Sequence, residues 1–91
     1  MIVVPHRMRL GSVRKYVPTG KDLSYGAGEN EHIHWQFASW IEDMFGPEGA
    51  TPEEIYREFT GPKGLTAETT MELLRATVND GYLRVGKGNE V

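Results

Sequence analysis

The sequence contains no cysteine. That absence removes disulfides, thiolate metal sites and cysteine nucleophiles together, and it agrees with a reducing compartment, the cytoplasm by default. Long apolar runs are missing as well. The longest, Ile2-Val3-Val4, falls far short of the roughly 20 residues of a membrane span or the about 7 to 15 of a secretory core segment, so no membrane insertion is expected. The chain as a whole has no excess of positive charge, its formal net charge being −3. Locally it is the acids that are missing. Residues 1–21 carry Arg7, Arg9, Arg14, Lys15 and Lys21 without one carboxylate, whereas residues 22–91 set five cations against thirteen acids. Such a split lets a basic segment meet polyanions while the body repels them, unless the two parts neutralise each other within the fold.

What is present suffices for one small folding unit. A chain of 91 residues buries roughly 60 to 65% of its unfolded surface. With 38% apolar residues, two Trp, four Tyr and three Phe, it can close a core without covalent staples. Three stretches divide it: a basic ribbon over 1–17, a Gly-rich connector over 18–30, and a helical body over 31–91.

In the ribbon, apolar and polar residues alternate on both sides of Gly11-Ser12, and glycine at the first turn position suits a type II′ hairpin. The pairing places Leu10 opposite Val13, Arg9 opposite Arg14, Met8 opposite Lys15 and Arg7 opposite Tyr16. One side is then mostly apolar and the other carries Arg7, Arg9, Arg14 and Tyr16. Two arginines face to face make better sense with an anion nearby. Ile2-Val3-Val4 reads as a further strand, halted by Pro5.

Beyond the connector, Asn30 is placed to cap a helix whose apolar positions Ile33, Phe37, Trp40, Ile41 and Met44 recur at helical spacing, closed by Gly46-Pro47. Trp35 falls on its polar side and needs cover, either from the ribbon or from a dimer or partner contact. Thr51-Pro52-Glu53-Glu54 is a capping box with proline in the first turn, and it opens a second helix that buries Ile55 and Phe59. Gly61-Pro62-Lys63-Gly64 ends that helix. Thr66 caps a third, which buries Leu73 and Leu74 with Thr70, Thr77 and Val78 and exposes Ala67, Glu68, Met71, Glu72 and Arg75. Tyr82 to Val85 reads as a strand, Gly86 to Asn89 as a turn and Glu90-Val91 as a return strand.

This order, helix, short extended Gly49-Ala50, helix, turn, helix, strand and turn, resembles the winged helix-turn-helix family over Trp35 to Val91. The densest match is ATPEEIYREF followed by LTAETTMELLRATVNDGYLRV. The resemblance implies an α+β fold, a small winged-helix domain of three helices and a short β-wing, here with an N-terminal β-hairpin extension. It also implies DNA binding, with the third helix in the major groove and the wing on the backbone. The charges shift that expectation. Residues 66–80 hold one cation, Arg75, against Glu68, Glu72 and Asp80, and carboxylates between two rows of phosphates repel. The expected phosphate contacts are therefore Arg7, Arg9, Arg14 and Lys15 of the ribbon, with Tyr16 to stack, joined by Arg75, Arg84 and Lys87. The alternative within the molecule pairs these arginines with Glu29, Glu31 or the Glu53/Glu54 pair. An alternative from another class is a protein-interaction module or inhibitor that uses Trp35, Glu68, Met71 and Glu72 as its contact face, or a homodimer through the first helix.

Catalytic and metal chemistry find no support, and no cofactor is expected. His32 and His34, two positions apart on a helix, point about 200° apart and cannot share an ion. Gly26-Ala27-Gly28 lacks the third glycine and the setting of a dinucleotide fingerprint. Ser12, Ser24 and Ser39 have no neighbouring base, and the acidic pairs are explained by a helix N-terminus and a solvated face. The expectation is a small, non-enzymatic regulator that binds DNA or RNA.

Overall fold

The computed structural model describes residues 14–86. The fold is α+β, with three helices and a two-stranded antiparallel sheet. In chain order these are β1 (Tyr16–Pro18), α1 (Glu29–Phe45), α2 (Pro52–Ile55), α3 (Ala67–Asn79) and β2 (Leu83–Val85). Among the described residues no helix is long and apolar enough to cross a membrane.

Local chemistry sets most of the helix ends. At α2 both halves of the capping box form: the Thr51 hydroxyl accepts from the Glu54 N–H at 3.2 Å, and Glu54 Oε1 accepts from the Thr51 N–H at 2.9 Å. Two orphan amides are thereby satisfied. The helix then widens into a π-helical stretch, Tyr56–Thr60, and tightens into a 3₁₀ turn, Gly61–Lys63. Thr66 caps α3 by accepting from the Thr69 N–H at 3.0 Å. The start of α1 differs from expectation. Gly28 is the cap residue, without a side-chain bond, and Asn30 already lies in the first turn, where Glu29 and Glu31 supply negative charge to the positive helix end.

The buried face of α1 takes in only part of the expected stripe, Phe37 and Ile41. Phe37, Ala38 and Ile41 are buried, while Ile33, Trp40 and Met44 remain 47%, 43% and 48% exposed. At about 100° per residue the buried arc is turned by roughly 70° from the apolar stripe, toward Glu31, His34, Trp35 and Ala38. Two side-chain bonds account for the rotation. Tyr82 donates its hydroxyl to Glu31 Oε2 at 2.5 Å, and His34 Nδ1 meets Asp80 Oδ2 at 2.5 Å. Polar groups of α1 thus face the α3–β2 corner, and its apolar edge faces water.

The core gathers Phe37, Ile41, Ile55, Phe59, Leu74, Tyr82 and Leu83, with Phe37 and Phe59 stacked at 5.7 Å. Thr70 and Thr77, rather than aliphatic residues, complete the inner face of α3. Their hydroxyls are satisfied within the helix, Thr70 to the Thr66 carbonyl at 2.9 Å and Thr77 to the Leu73 carbonyl at 2.7 Å. Thr60 and Thr70 share a further bond of 2.6 Å across the two helices, so no buried side-chain polar atom among the described residues lacks a partner.

The sheet corrects the expected ribbon. β1 pairs with β2, with Tyr16 opposite Val85, Val17 opposite Arg84 and Pro18 opposite Leu83. On its other edge Tyr16 bridges Ala50, with N–H to carbonyl distances of 2.8 and 3.2 Å. The Lys15 carbonyl, expected to pair with Met8, accepts from the Gly86 N–H at 2.7 Å. Both edges of the chain at Lys15 and Tyr16 are therefore taken by Gly86 and Ala50, and the Arg7, Met8, Arg9 and Leu10 side of the expected hairpin lies outside the described residues. Gly49 makes the bridge possible: its φ is +73°, and a Cβ there would stand 2.0 Å from the Tyr16 carbonyl oxygen. The expected turn at Gly11-Ser12, the strand at Ile2-Val3-Val4 and the return strand at Glu90-Val91 lie outside the described residues.

The connector is tied down where it leaves β1. Thr19 bonds the Tyr82 carbonyl through its N–H at 3.1 Å and the Gly81 carbonyl through its hydroxyl at 2.6 Å. Lys21 Nζ donates to the Asp80 carbonyl at 2.8 Å and lies 4.8 Å above the Tyr82 ring.

Candidate nucleic-acid interface

Side chains alternate across a two-stranded sheet, so its register assigns its faces. Tyr16, Pro18, Leu83 and Val85 share one face, which packs on the core through half-buried Tyr16 and buried Leu83. Val17 and Arg84 share the other, and Lys15 follows on the same side, diagonal to Arg84. Arg14, Lys15 and Arg84 are all exposed. None of them forms an ion pair among the described residues, nor does Arg75 on α3. Three of the carboxylates expected to neutralise them are engaged elsewhere: Glu31 by Tyr82, Glu53 by Arg57 at 3.2 Å, and Glu54 in its own cap.

Tyr16, expected as a stacking platform, lies on the core side of the sheet and not beside Lys15 and Arg84. Arg7, Arg9 and Lys87 lie outside the described residues. On α3, Glu68, Glu72 and Arg75 are exposed as expected, while Met71 is half-buried against the core. Trp35 is partly buried against the core and lines a small cavity with Pro18, Gly20, Lys21 and Tyr82. The beginning of the connector thus lies near Trp35, which keeps part of its surface open.

The polar corner under α1 was not visible as a unit in the sequence. Glu31, His34, Trp35 and Ala38 follow an i, i+3, i+4, i+7 pattern, a second stripe beside the apolar one, and this spacing was the available signal. The stripe meets Asp80, Tyr82 and Lys21, which come from the far end of the chain and from the connector. Burial, assisted by the Glu31 carboxylate on its hydroxyl, raises the Tyr82 phenol above its ordinary value of 10.0. His32 is exposed while His34 turns inward, and among the described residues no three metal-ligating side chains converge.

A second surface feature lies between α1 and the irregular end of α2. It is an open cleft of about 370 Å³, lined by Trp40, Met44, Phe59 and Pro62 with Asp43, Glu58 and Lys63 on its margin. No protein-family model, curated protein or solved structure is matched by this chain.

Proposed function

We propose that the chain is a small regulator that binds nucleic acid through its phosphate backbone, using the outer face of the β1–β2 sheet on a winged-helix-like scaffold. The observation that carries this reading is the pair of exposed cations Lys15 and Arg84, diagonal to one another on the outer side of the sheet, with exposed Arg14 preceding them in the chain, none paired with a carboxylate among the described residues. Arg7, Arg9 and Lys87 add further cations to the sequence outside the described residues. The winged-helix reading is supported by the order of helices and strand and by the extended segment at Ala50 between α1 and α2. The departure from the usual mode is electrostatic. The solvent side of α3 presents Glu68 and Glu72, so the sheet and not the third helix approaches the phosphates. A cysteine-free chain of this kind suits the cytoplasm.

The test is fluorescence anisotropy of a generic labelled duplex and of the matching single strand, at low and moderate salt. Each phosphate contact contributes about 0.9 to the slope of log affinity against log salt on a duplex. The variant Arg14→Ala/Lys15→Ala/Arg84→Ala is expected to bind weakly to every sequence and to lose roughly 2 to 3 from that slope. Absence of binding by the natural chain at low salt, or an unchanged slope in the variant, refutes the proposal.

A further inference from the structure

The cleft between α1 and the turns that follow α2 combines apolar walls with two carboxylates, Asp43 and Glu58, and one ammonium, Lys63. Trp40 stands edge-on to Phe59 at 5.7 Å, and Trp40 and Met44 keep their outer surfaces in water. Asp43 and Glu58 border them. Glu58 shares Arg57 at 3.4 Å, whereas Asp43 has no ion-pair partner among the described residues. Lys63 Nζ lies 5.6 Å from the centre of the Phe59 ring, so the floor of the cleft already accommodates a cation against an aromatic face. The volume of about 370 Å³ is that of a small ligand pocket, enough for one large side chain and its neighbours.

We propose that this cleft binds a linear peptide segment of a partner protein, one that inserts a large apolar side chain between Trp40 and Met44 and places a lysine or arginine beside Asp43 and Glu58. Charge selects this occupant over the others. Of the three charged side chains at the cleft two are carboxylates, and the third, Lys63, already lies over the Phe59 ring, so the groups left for an occupant are acidic. Nucleic acid would bring phosphates to the same two carboxylates. A basic, apolar-anchored peptide alone satisfies both walls and margin. None of the residues lining the cleft belongs to β1 or β2.

A random 12-residue peptide library selected on the immobilised full chain tests this directly. Enriched peptides are expected to share an aromatic or large aliphatic residue with Lys or Arg within about four positions, the reach of one turn. The best of them, synthesised and titrated by fluorescence anisotropy, is expected to bind Asp43→Lys about three- to tenfold more weakly, as for reversal of an exposed pair. Met44→Glu is expected to weaken it at least about tenfold, because the apolar wall is lost. Both positions are exposed, and circular dichroism confirms that the variants fold. In amide chemical-shift mapping the peptide should move Trp40, Met44 and Phe59. Failure to enrich any peptide, enrichment of acidic peptides, or shifts centred elsewhere overturns the proposal. So does a dimer in sedimentation that Met44→Glu dissolves, since the occupant is then a second copy. Loss of duplex binding in Met44→Glu would likewise place nucleic acid at the cleft and overturn it.

Discussion

Replacing Gly49 with alanine tests the junction that joins the N-terminal strand to the helical body. Gly49 has a φ of +73°, and an added Cβ would stand 2.0 Å from the Tyr16 carbonyl oxygen and 2.8 Å from Val17 Cα. Two costs follow. Holding an L-residue in the left-handed region costs about 1 to 2 kcal/mol. Relieving a contact with backbone, which has no rotamer to escape into, means displacing β1 from Ala50. The two amide bonds of the Tyr16–Ala50 bridge are then lost, at about 0.5 to 1.5 kcal/mol each. The sum is about 2 to 5 kcal/mol, a large share of the roughly 5 to 14 kcal/mol expected for a chain of this size. Gly64 supplies the control. Its φ is +89°, and a Cβ there meets nothing within 4 Å, so Gly64→Ala incurs the backbone cost alone. Thermal unfolding followed by circular dichroism should show Gly49→Ala falling by about 10 to 30 °C and Gly64→Ala by about 5 to 15 °C. Amide exchange should show Tyr16 and Ala50 losing protection in the first variant only. If the two variants lose the same stability, the close approach of Gly49 to β1 does not hold and the argument fails.

Three further outcomes are expected. The difference between phenol absorbance titrations of the natural chain and Tyr82→Phe isolates Tyr82, whose transition should lie above 10.0. Because the folded value is raised, stability from this group is intact below about pH 10 and is lost as pH rises through the folded transition. Glu31→Gln should lower that transition without bringing it to 10.0, since burial is the larger cause, and a difference transition at or below 10 would contradict the packing of the corner. Thr70→Val leaves the Thr60 hydroxyl without its 2.6 Å partner and should cost about 1 to 3 kcal/mol in urea unfolding. The double variant Thr60→Val/Thr70→Val should be less destabilised than the sum of the single changes, and strict additivity would argue against the bond. Ile41→Ala, at a fully buried site, should cost about 2 to 5 kcal/mol. Ile33→Ala, on the exposed side of the same helix, should cost under about 1 kcal/mol, and equal losses would restore the apolar stripe as the buried face.

How much could be read in advance depends on the range of the forces involved. The capping box at Thr51–Glu54 and the Thr66 cap were legible because both partners lie within one turn of each other. The exposed acids of α3 were legible for the same reason, being fixed by helical periodicity. The face of α1 was legible only in part, with Phe37 and Ile41 buried as the spacing placed them. Periodicity put Ile33, Trp40 and Met44 inside, but the rotation of that helix is set by Asp80 and Tyr82, residues more than forty positions away that engage His34 and Glu31. The partner of the first strand was missed likewise. A local hairpin around Gly11-Ser12 is the nearest pairing a sequence offers, yet the edges of β1 are taken by Ala50 and β2.

The sequence by itself determined the helix starts at Thr51 and Thr66, the α+β class and the concentration of positive charge toward the N-terminus, because these follow from residue type and near-neighbour spacing. Only the tertiary structure decided which side of α1 meets water, which strand completes the sheet, and that Lys15 and Arg84 lie diagonal to one another without carboxylate partners among the described residues. Those outcomes depend on contacts between residues up to some seventy positions apart, such as Val17 with Arg84. No local propensity encodes the free energy of such contacts, which comes from closing the loop and burying the surfaces together.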